Sequence, residues 1–285
     1  MSKIGRASRI SDIIKQKSFY IKKKYGQNFL VDQNILEKIV DAANITDETL
    51  VVEVGPGFGS LTEHLIERSK HVLAYEIDED LVEFLTDTFE TDNLTVVHED
   101  VLNREIDDDI EQLDSTFDQV VLVANLPYYI TTPVVMKVLE QTTRIERLIV
   151  MTQHEVALRM TSNPKTKDYN SLSIAIQYRA ETEYLFKVPR TVFIPKPNVD
   201  SAIISLKMKQ ERALPKNLEP FFFRLIKTSF KQRRKTLYNN LKGFDDINNE
   251  TIKEAIDALE LSPTVRAEAL DVHDFIELTH KLIKD

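Results

Sequence analysis

The chain reads as an α/β protein, a doubly wound parallel sheet followed by a small all-helical region. Three observations predict this. Short apolar runs recur at Leu50 to Val54, Val72 to Tyr75, Leu94 to Val97, Val120 to Ala124 and Leu148 to Met151, as suits parallel strands buried on both faces. Stretches of helical period lie between them. The first run leads directly into Gly55, Pro56, Gly57, Phe58 and Gly59. Strand, glycine turn and helix in that order open a sheet whose ligands bind at the carboxyl ends of the strands.

The elements follow in order. Ser60 opens a helical pattern through Leu61, His64 and Leu65, and the second strand ends at Glu76. A helix with Leu81, Phe84 and Leu85 comes next, and the third strand stops just before Glu99 and Asp100. A helix over 132–141 separates the fourth and fifth strands. Pro195 and Pro197 precede Val199 to Met208, whose alternation predicts a late strand closing the sheet. Beyond Gln210, Pro215 and Pro220 bracket a polar linker, after which the pattern is helical. Helices are predicted over 218–241, with Phe222, Leu225, Ile226 and Phe230 on one side, over 249–260, and over 272–284 with Asp271 as cap. The organisation is thus a basic N-terminal extension (1–25), a sheet domain (26–210) and a helical domain (216–285).

Composition narrows the chemistry. The 285 residues include no cysteine, which excludes disulfides, a thiolate nucleophile and a cysteine-ligated cluster and agrees with a cytoplasmic setting. The six histidines show no metal-ligand spacing, so no metal is expected. No apolar run is long enough to span a bilayer, and the N-terminus lacks the apolar core of a secretory signal. The net charge of −9 is unevenly spread. Residues 75–118 carry 17 acidic side chains and one base, Arg104; residues 1–26 carry eight bases against Asp12; residues 224–242 carry seven bases and no acid. Each basic run could be a solvated helix face, but two of them in an acidic chain point to a polyanion partner.

Directly after the fourth apolar run stand Asn125, Leu126, Pro127 and Tyr128. An amide acceptor, a rigid turn and an aromatic face at a strand's carboxyl end suit chemistry on the amino group of adenine. That nitrogen is a poor nucleophile because its lone pair is delocalised into the ring. Acceptors on its two hydrogens, here the Asn125 side chain and a carbonyl near Leu126, would favour rehybridisation and expose the lone pair. Pro127 sets the carbonyl directions, and Tyr128 offers a face for an extruded base. The alternative is a plain turn with a core aromatic.

The glycine turn admits more than one cofactor. In a dinucleotide fingerprint the third glycine would stand at position 60, where this chain has Ser60. Glu76 could accept from both ribose hydroxyls of either an adenosine-type or a NAD-type cofactor, and Asp100 could accept from an adenine amino group. Otherwise the glycines only start a helix, and the two acids are surface carboxylates.

Five segments then carry a family resemblance: Gly26 to Leu30, Glu53 to Gly57, Asn125 to Tyr128, Phe193 to Ser201, and Phe230 to Lys235. Read in this order, from about Ser8 to the C-terminus, the chain resembles the small-subunit ribosomal RNA adenine dimethyltransferases. The resemblance implies a Rossmann-like class I methyltransferase fold and S-adenosylmethionine as methyl donor. It implies dimethylation of two adjacent adenines in the hairpin near the 3′ end of small-subunit rRNA, within a pre-ribosomal 30S particle, by a protein that need only be a monomer. The cofactor contacts it implies are Asn28, Leu30, Gly55, Gly57, Glu76, Asp100 and Asn125. Asn125 to Tyr128 form the implied catalytic loop, with Phe193 as a second stacking face. Lys22, Lys23 and Lys24, and Arg233, Arg234 and Lys235, are expected to meet RNA phosphates. Tyr25, His154 and Asn170 stand where the family usually has leucine, lysine and glycine. Three rival readings remain: an erythromycin-resistance-type methyltransferase of large-subunit rRNA, a ribosome-assembly factor without turnover, and a NAD-dependent dehydrogenase, which Ser60 disfavours.

Overall fold

The computed structural model describes Ile4 and residues 26–113 and 115–283; Lys22 to Lys24, expected to touch RNA, and Tyr25 lie outside the described residues. The order begins β1 (Phe29–Leu30), α1 (Gln33–Ala42), β2 (Thr49–Val54), α2 (Thr62–Ile66), β3 (His71–Glu76), α3 (Glu79–Thr88) and β4 (Leu94–His98). It continues α4 (Ile106–Glu111), β5 (Gln119–Asn125), α5 (Thr131–Gln141), β6 (Arg147–Gln153), α6 (His154–Thr161), α7 (Ser171–Arg179), β7 (Ala180–Val188), β8 (Phe193–Ile194) and β9 (Ser201–Met208). The last helices are α8 (Glu219–Ser229), α9 (Leu237–Leu241), α10 (Asn249–Asp257) and α11 (Val272–Leu282).

Two compact units result: one from the described residues up to Ala157 with Glu183–Met208, the other from Leu158–Thr182 with the described residues from Lys209 onward. The first holds the sheet, ordered β4-β3-β2-β5-β6-β9-β7. Strands β2 to β6 pair in parallel and β9 returns antiparallel to β6. Every residue of β2 is buried, as is the interior of β5, which explains apolar runs broken in β2 only by Glu53. From β2 the chain steps outward to β3 and β4, then returns to place β5 on the other side of β2. That reversal sets the loops after β2 and β5 side by side, the position at which open α/β sheets bind ligands. A short ribbon, β1 with β8, pairs Leu30 with Phe193.

Two differences from the sequence expectation concern the second unit. The expected domain break near 210–216 overlooks Leu158–Thr182, which groups with the later helices. Long-range polar contacts explain this: the Tyr169 hydroxyl donates to the Leu270 carbonyl at 2.9 Å, and the Arg179 guanidinium donates to Glu219 at 2.7 Å. The single helix expected over 218–241 is two, α8 and α9. The Asn240 side chain separates them: its amide nitrogen donates to the Ser229 and Gln232 carbonyls, and its oxygen accepts from the Gln232 N–H. One side chain thus satisfies backbone groups that a helix end leaves open. Arg233, Arg234 and Lys235 therefore stand exposed in a turn rather than along a helix face.

The sequence reading was silent on most of 154–192, where α6, α7 and β7 form. Asn170, a departure from the family pattern, caps α7 in a reciprocal box with Ser173. His154 begins α6, its ring edge-to-face with Tyr184 at 6.0 Å. Asp271 caps α11, as its place in the sequence suggests.

Glu219, in the second unit, is 6% exposed and accepts from Tyr178, Arg179 and Arg212. Removing it takes the carboxylate from the buried Arg179 guanidinium. Glu219→Ala is expected to lose about 3–5 kcal/mol, read as a lower urea midpoint by far-UV circular dichroism; a midpoint equal to wild type would show that Arg179 finds another partner.

Candidate active site

The loops after β2 and β5 line one pocket of about 1140 Å³, mouth included, and every site residue expected in the first unit and among the described residues lies on its wall. On the β2 side, Gly55 and Gly57 have φ of +70° and +60°, backbone that favours glycine. A Cβ at Gly55 would come within 3.8 Å of the Asn125 carbonyl oxygen and 3.9 Å of Pro127 Cδ. Its absence keeps open the space between the two loops. At Gly57 a Cβ would press on the Phe29 ring at 3.0 Å.

Glu76 ends β3 and is 5% exposed. It accepts from the N–H groups of Gly57 at 3.2 Å, Ile77 at 2.9 Å and Asp78 at 3.0 Å. Burial pushes its carboxyl above the usual range, those three N–H groups pull it back, and the Asp78 charge adds to the rise. Asp100, after β4, spends one oxygen capping the next turn through the Leu102 N–H at 2.9 Å. Only part of its acceptor capacity remains for a ligand.

On the β5 side, the Asn125 amide nitrogen donates to the Asn28 carbonyl at 3.4 Å, leaving the amide oxygen as acceptor. Asn28 in turn donates to the Gly26 carbonyl at 2.9 Å. The Pro127 carbonyl accepts from the Ile130 N–H at 3.1 Å and the Thr131 hydroxyl at 3.3 Å, so the turn after Leu126 is held at both ends. The Tyr128 hydroxyl lies 2.8 Å from Ser201 Oγ on β9, and burial pushes its phenol up. Leu30 and Phe193, paired across β1 and β8, form part of the wall; Phe193 is 4% exposed.

Several pocket residues carry no site role in the sequence reading, four of them with chemistry of their own. Ile77 and Tyr129, each next to a residue that was singled out, are two of the three exposed large apolar side chains among the described residues. An apolar residue directly after the strand-terminal acid was the available signal for Ile77. Gln27, within the Gly26 to Leu30 segment, donates to Asp78 at 2.9 Å. Glu53 is 2% exposed and accepts from the Thr62 hydroxyl at 2.7 Å. Burial pushes its carboxyl up to about 8, against that hydrogen bond, and the Glu76 charge adds to the rise. Its signal was an acid inside an otherwise apolar strand. Arg233 to Lys235 belong to the second unit; there Arg233 also contacts the Lys167 carbonyl and lies 3.5 Å from Glu268.

Comparison with known proteins gives the following. The sequence profile of the family described as Ribosomal RNA adenine dimethylase matches residues 18–284. A protein of Bacillus pumilus named Ribosomal RNA small subunit methyltransferase A is 46% identical, covering 99% of this chain and 98% of its own length. One of the same name from Streptococcus pneumoniae is 47% identical over 95% and 94%. Among solved structures, a dimethyladenosine transferase from Plasmodium falciparum matches with a TM-score of 0.71 at 26% identity, covering 87% of this chain and 95% of that one. The 23S rRNA methyltransferase ErmE matches with a TM-score of 0.68 at 25% identity, over 89% and 98%.

The carboxyl of Glu53 generates a prediction. It stays protonated in the fold up to about 8, whereas its ordinary value is 4.5. Below pH 4.5 both folded and unfolded states hold the proton and the group is neutral to stability. Between about 4.5 and 8 only the unfolded state ionises, and stability falls with rising pH by at most about 1.4 kcal/mol per unit. Glu53→Gln keeps an acceptor for Thr62 and removes the titration. The stability of this variant relative to wild type is expected to rise from pH 5 to 8 in urea unfolding; parallel curves would rule out a protonated Glu53.

Proposed function

The chain belongs to the ribosomal RNA adenine dimethylase family, and we propose that it transfers methyl groups from S-adenosylmethionine to the N6 amino groups of two adjacent adenines in the 3′-terminal hairpin of small-subunit rRNA. The observation that carries this reading is the meeting of Asn125 to Tyr128 with the glycine loop and Glu76 in one pocket. The small-subunit assignment of relatives 46–47% identical along nearly the whole chain favours that RNA over the large-subunit RNA of the 25% identical ErmE.

The donor set fits this cofactor. The pocket is rich in acceptors, namely Glu76, Asp100 and the Asn125 amide, as ribose hydroxyls, an adenine amino group and a sulfonium cation require. Ile77 adds an apolar face and Gly55 an unfilled space beside the catalytic loop. Asn28, Leu30, Gly55, Gly57, Glu76 and Asp100 would hold the cofactor, with Asn125 between it and the base. When bound, it supplies a methyl group already activated on sulfur.

The chain's task is therefore alignment and desolvation rather than proton abstraction. The Asn125 oxygen and the Leu126 carbonyl accept the two amino hydrogens of adenine and draw its lone pair out of the ring. Tyr128, its ring held through Ser201, stacks on one face of the extruded base, and Phe193 backs the other. The methylated nitrogen releases its proton to water. The basic turn at Arg233 to Lys235, with Lys22 to Lys24, meets RNA phosphate. We further propose a cytoplasmic monomer acting on a pre-ribosomal 30S particle, a setting with which a cysteine-free chain agrees.

Labelled S-adenosylmethionine offered in parallel to unmodified small subunits, deproteinised small-subunit RNA and large-subunit RNA tests the reading. Label is expected as N6,N6-dimethyladenosine in small subunits; label confined to large-subunit RNA would overturn it. Asn125→Ala is expected to lower kcat about 100-fold or more, beyond any loss of cofactor affinity, and near-normal kcat would remove its acceptor role. Replacing Arg234 and Lys235 by Gln is expected to flatten the salt dependence of RNA binding by roughly 0.7–0.9 log units per log salt for each charge, with cofactor affinity unchanged. An unaltered slope would leave them as solvated cations.

A further inference from the structure

Tyr129 directly follows the catalytic loop and is 58% exposed, more than any other large apolar side chain among the described residues. Of the three such exposed side chains, Ile77 and Tyr129 line the main pocket. Ile77 stands beside the ribose-facing Glu76, Tyr129 beside the base-facing Tyr128. Apolar surface exposed at the rim of a site, rather than scattered, marks a place where something docks.

The ring is seated, not merely surface-exposed. Its Cδ1 and Cε1 lie 3.5 Å from where a Cβ of Gly26 would be, with Pro127 Cβ at 3.8 Å from the same point. Gly26 holds a φ of +60°, a conformation that favours glycine. The backbone carrying the ring is fixed by the Ile130 N–H to the Pro127 carbonyl at 3.1 Å. A rigid turn therefore presents an aromatic ring at the pocket rim, one residue beyond the ring assigned to the extruded adenine. Tyrosine suits the task because it supplies a flat face with few rotatable bonds to freeze.

We propose that Tyr129 is a stacking platform for the nucleobase flanking the adenine being methylated, a subsite separate from the one formed by Tyr128 and Phe193. The inference rests on the RNA-methylating reading above. An extruded base leaves its neighbour with one face unstacked, and an aromatic ring waiting at the rim replaces the lost contact. With two adjacent targets, whichever adenine is not in the pocket becomes the natural occupant of this ring. The Tyr129 ring then contributes to capture of the RNA and not to the methyl transfer.

Steady-state methylation of unmodified small subunits by wild type, Tyr129→Ala, Tyr129→Phe and Tyr129→Trp decides the matter, with cofactor affinity measured by calorimetry. Tyr129→Ala is expected to raise KM for small subunits roughly 5- to 100-fold with little change in kcat and an unchanged cofactor Kd. Phe and Trp, which keep the face and lose the hydroxyl, are expected to restore KM. An unchanged KM in Tyr129→Ala, a loss confined to kcat, or failure of both aromatic variants to rescue would each overturn the proposal beside an active wild type. Absence of small-subunit turnover by wild type itself would overturn the parent reading, and this inference with it.

Discussion

Parallel pairing imposes one constraint from which the site follows. Strands β2 and β5 are buried on both faces, so their side chains can only pack, and chemistry is displaced to the loops at their carboxyl ends. Because the strand order reverses between them, those two loops are neighbours although some 70 residues separate them, as in the pairing of Thr49 with Gln119. The glycine conformations and the Pro127 turn are local answers to that imposed proximity. Were β5 to pair elsewhere, neither loop would have a partner across the pocket.

Burial also governs the charges around the pocket. Glu76 is held among three backbone N–H groups, which supply in place of water the donors an anion needs. Glu53, one strand away in the sheet, has a hydroxyl and no such set, and retains its proton instead. Burial raises both carboxyls, the three N–H groups counter the rise at Glu76, and the Glu76 charge adds to the rise at Glu53.

The sheet was largely legible in the sequence because buried parallel strands leave runs that are mostly apolar, and the glycine turn marks the first of them. The pocket was legible for a related reason: Gly55, Glu76, Asp100 and Asn125 all end strands or immediately follow them. What stayed hidden lacks local signal. The stretch 154–192 mixes a helix whose apolar residues fall on all sides, α7, with a half-buried strand, β7, and neither leaves a clean period. The membership of Leu158–Thr182 in the second unit depends on partners such as Glu219 and Leu270, far along the chain. The break between α8 and α9 depends on the side chain of Asn240, eight residues from Gln232, where hydrophobic spacing alone continues the helix. Tyr129 was passed over because an exposed aromatic in a turn looks like its neighbours until its surroundings are known.

That break has a consequence for how the basic turn behaves. The three cations are displayed by a scaffold of uncharged amide contacts, Asn240 to Ser229 and Gln232, rather than by ion pairs alone. Counterions weaken the attraction of such a turn for a polyanion, yet they leave amide hydrogen bonds intact. The shape of the turn and the reach of its charges are therefore governed by different forces: a rise in ionic strength screens the charges and leaves the shape as it was.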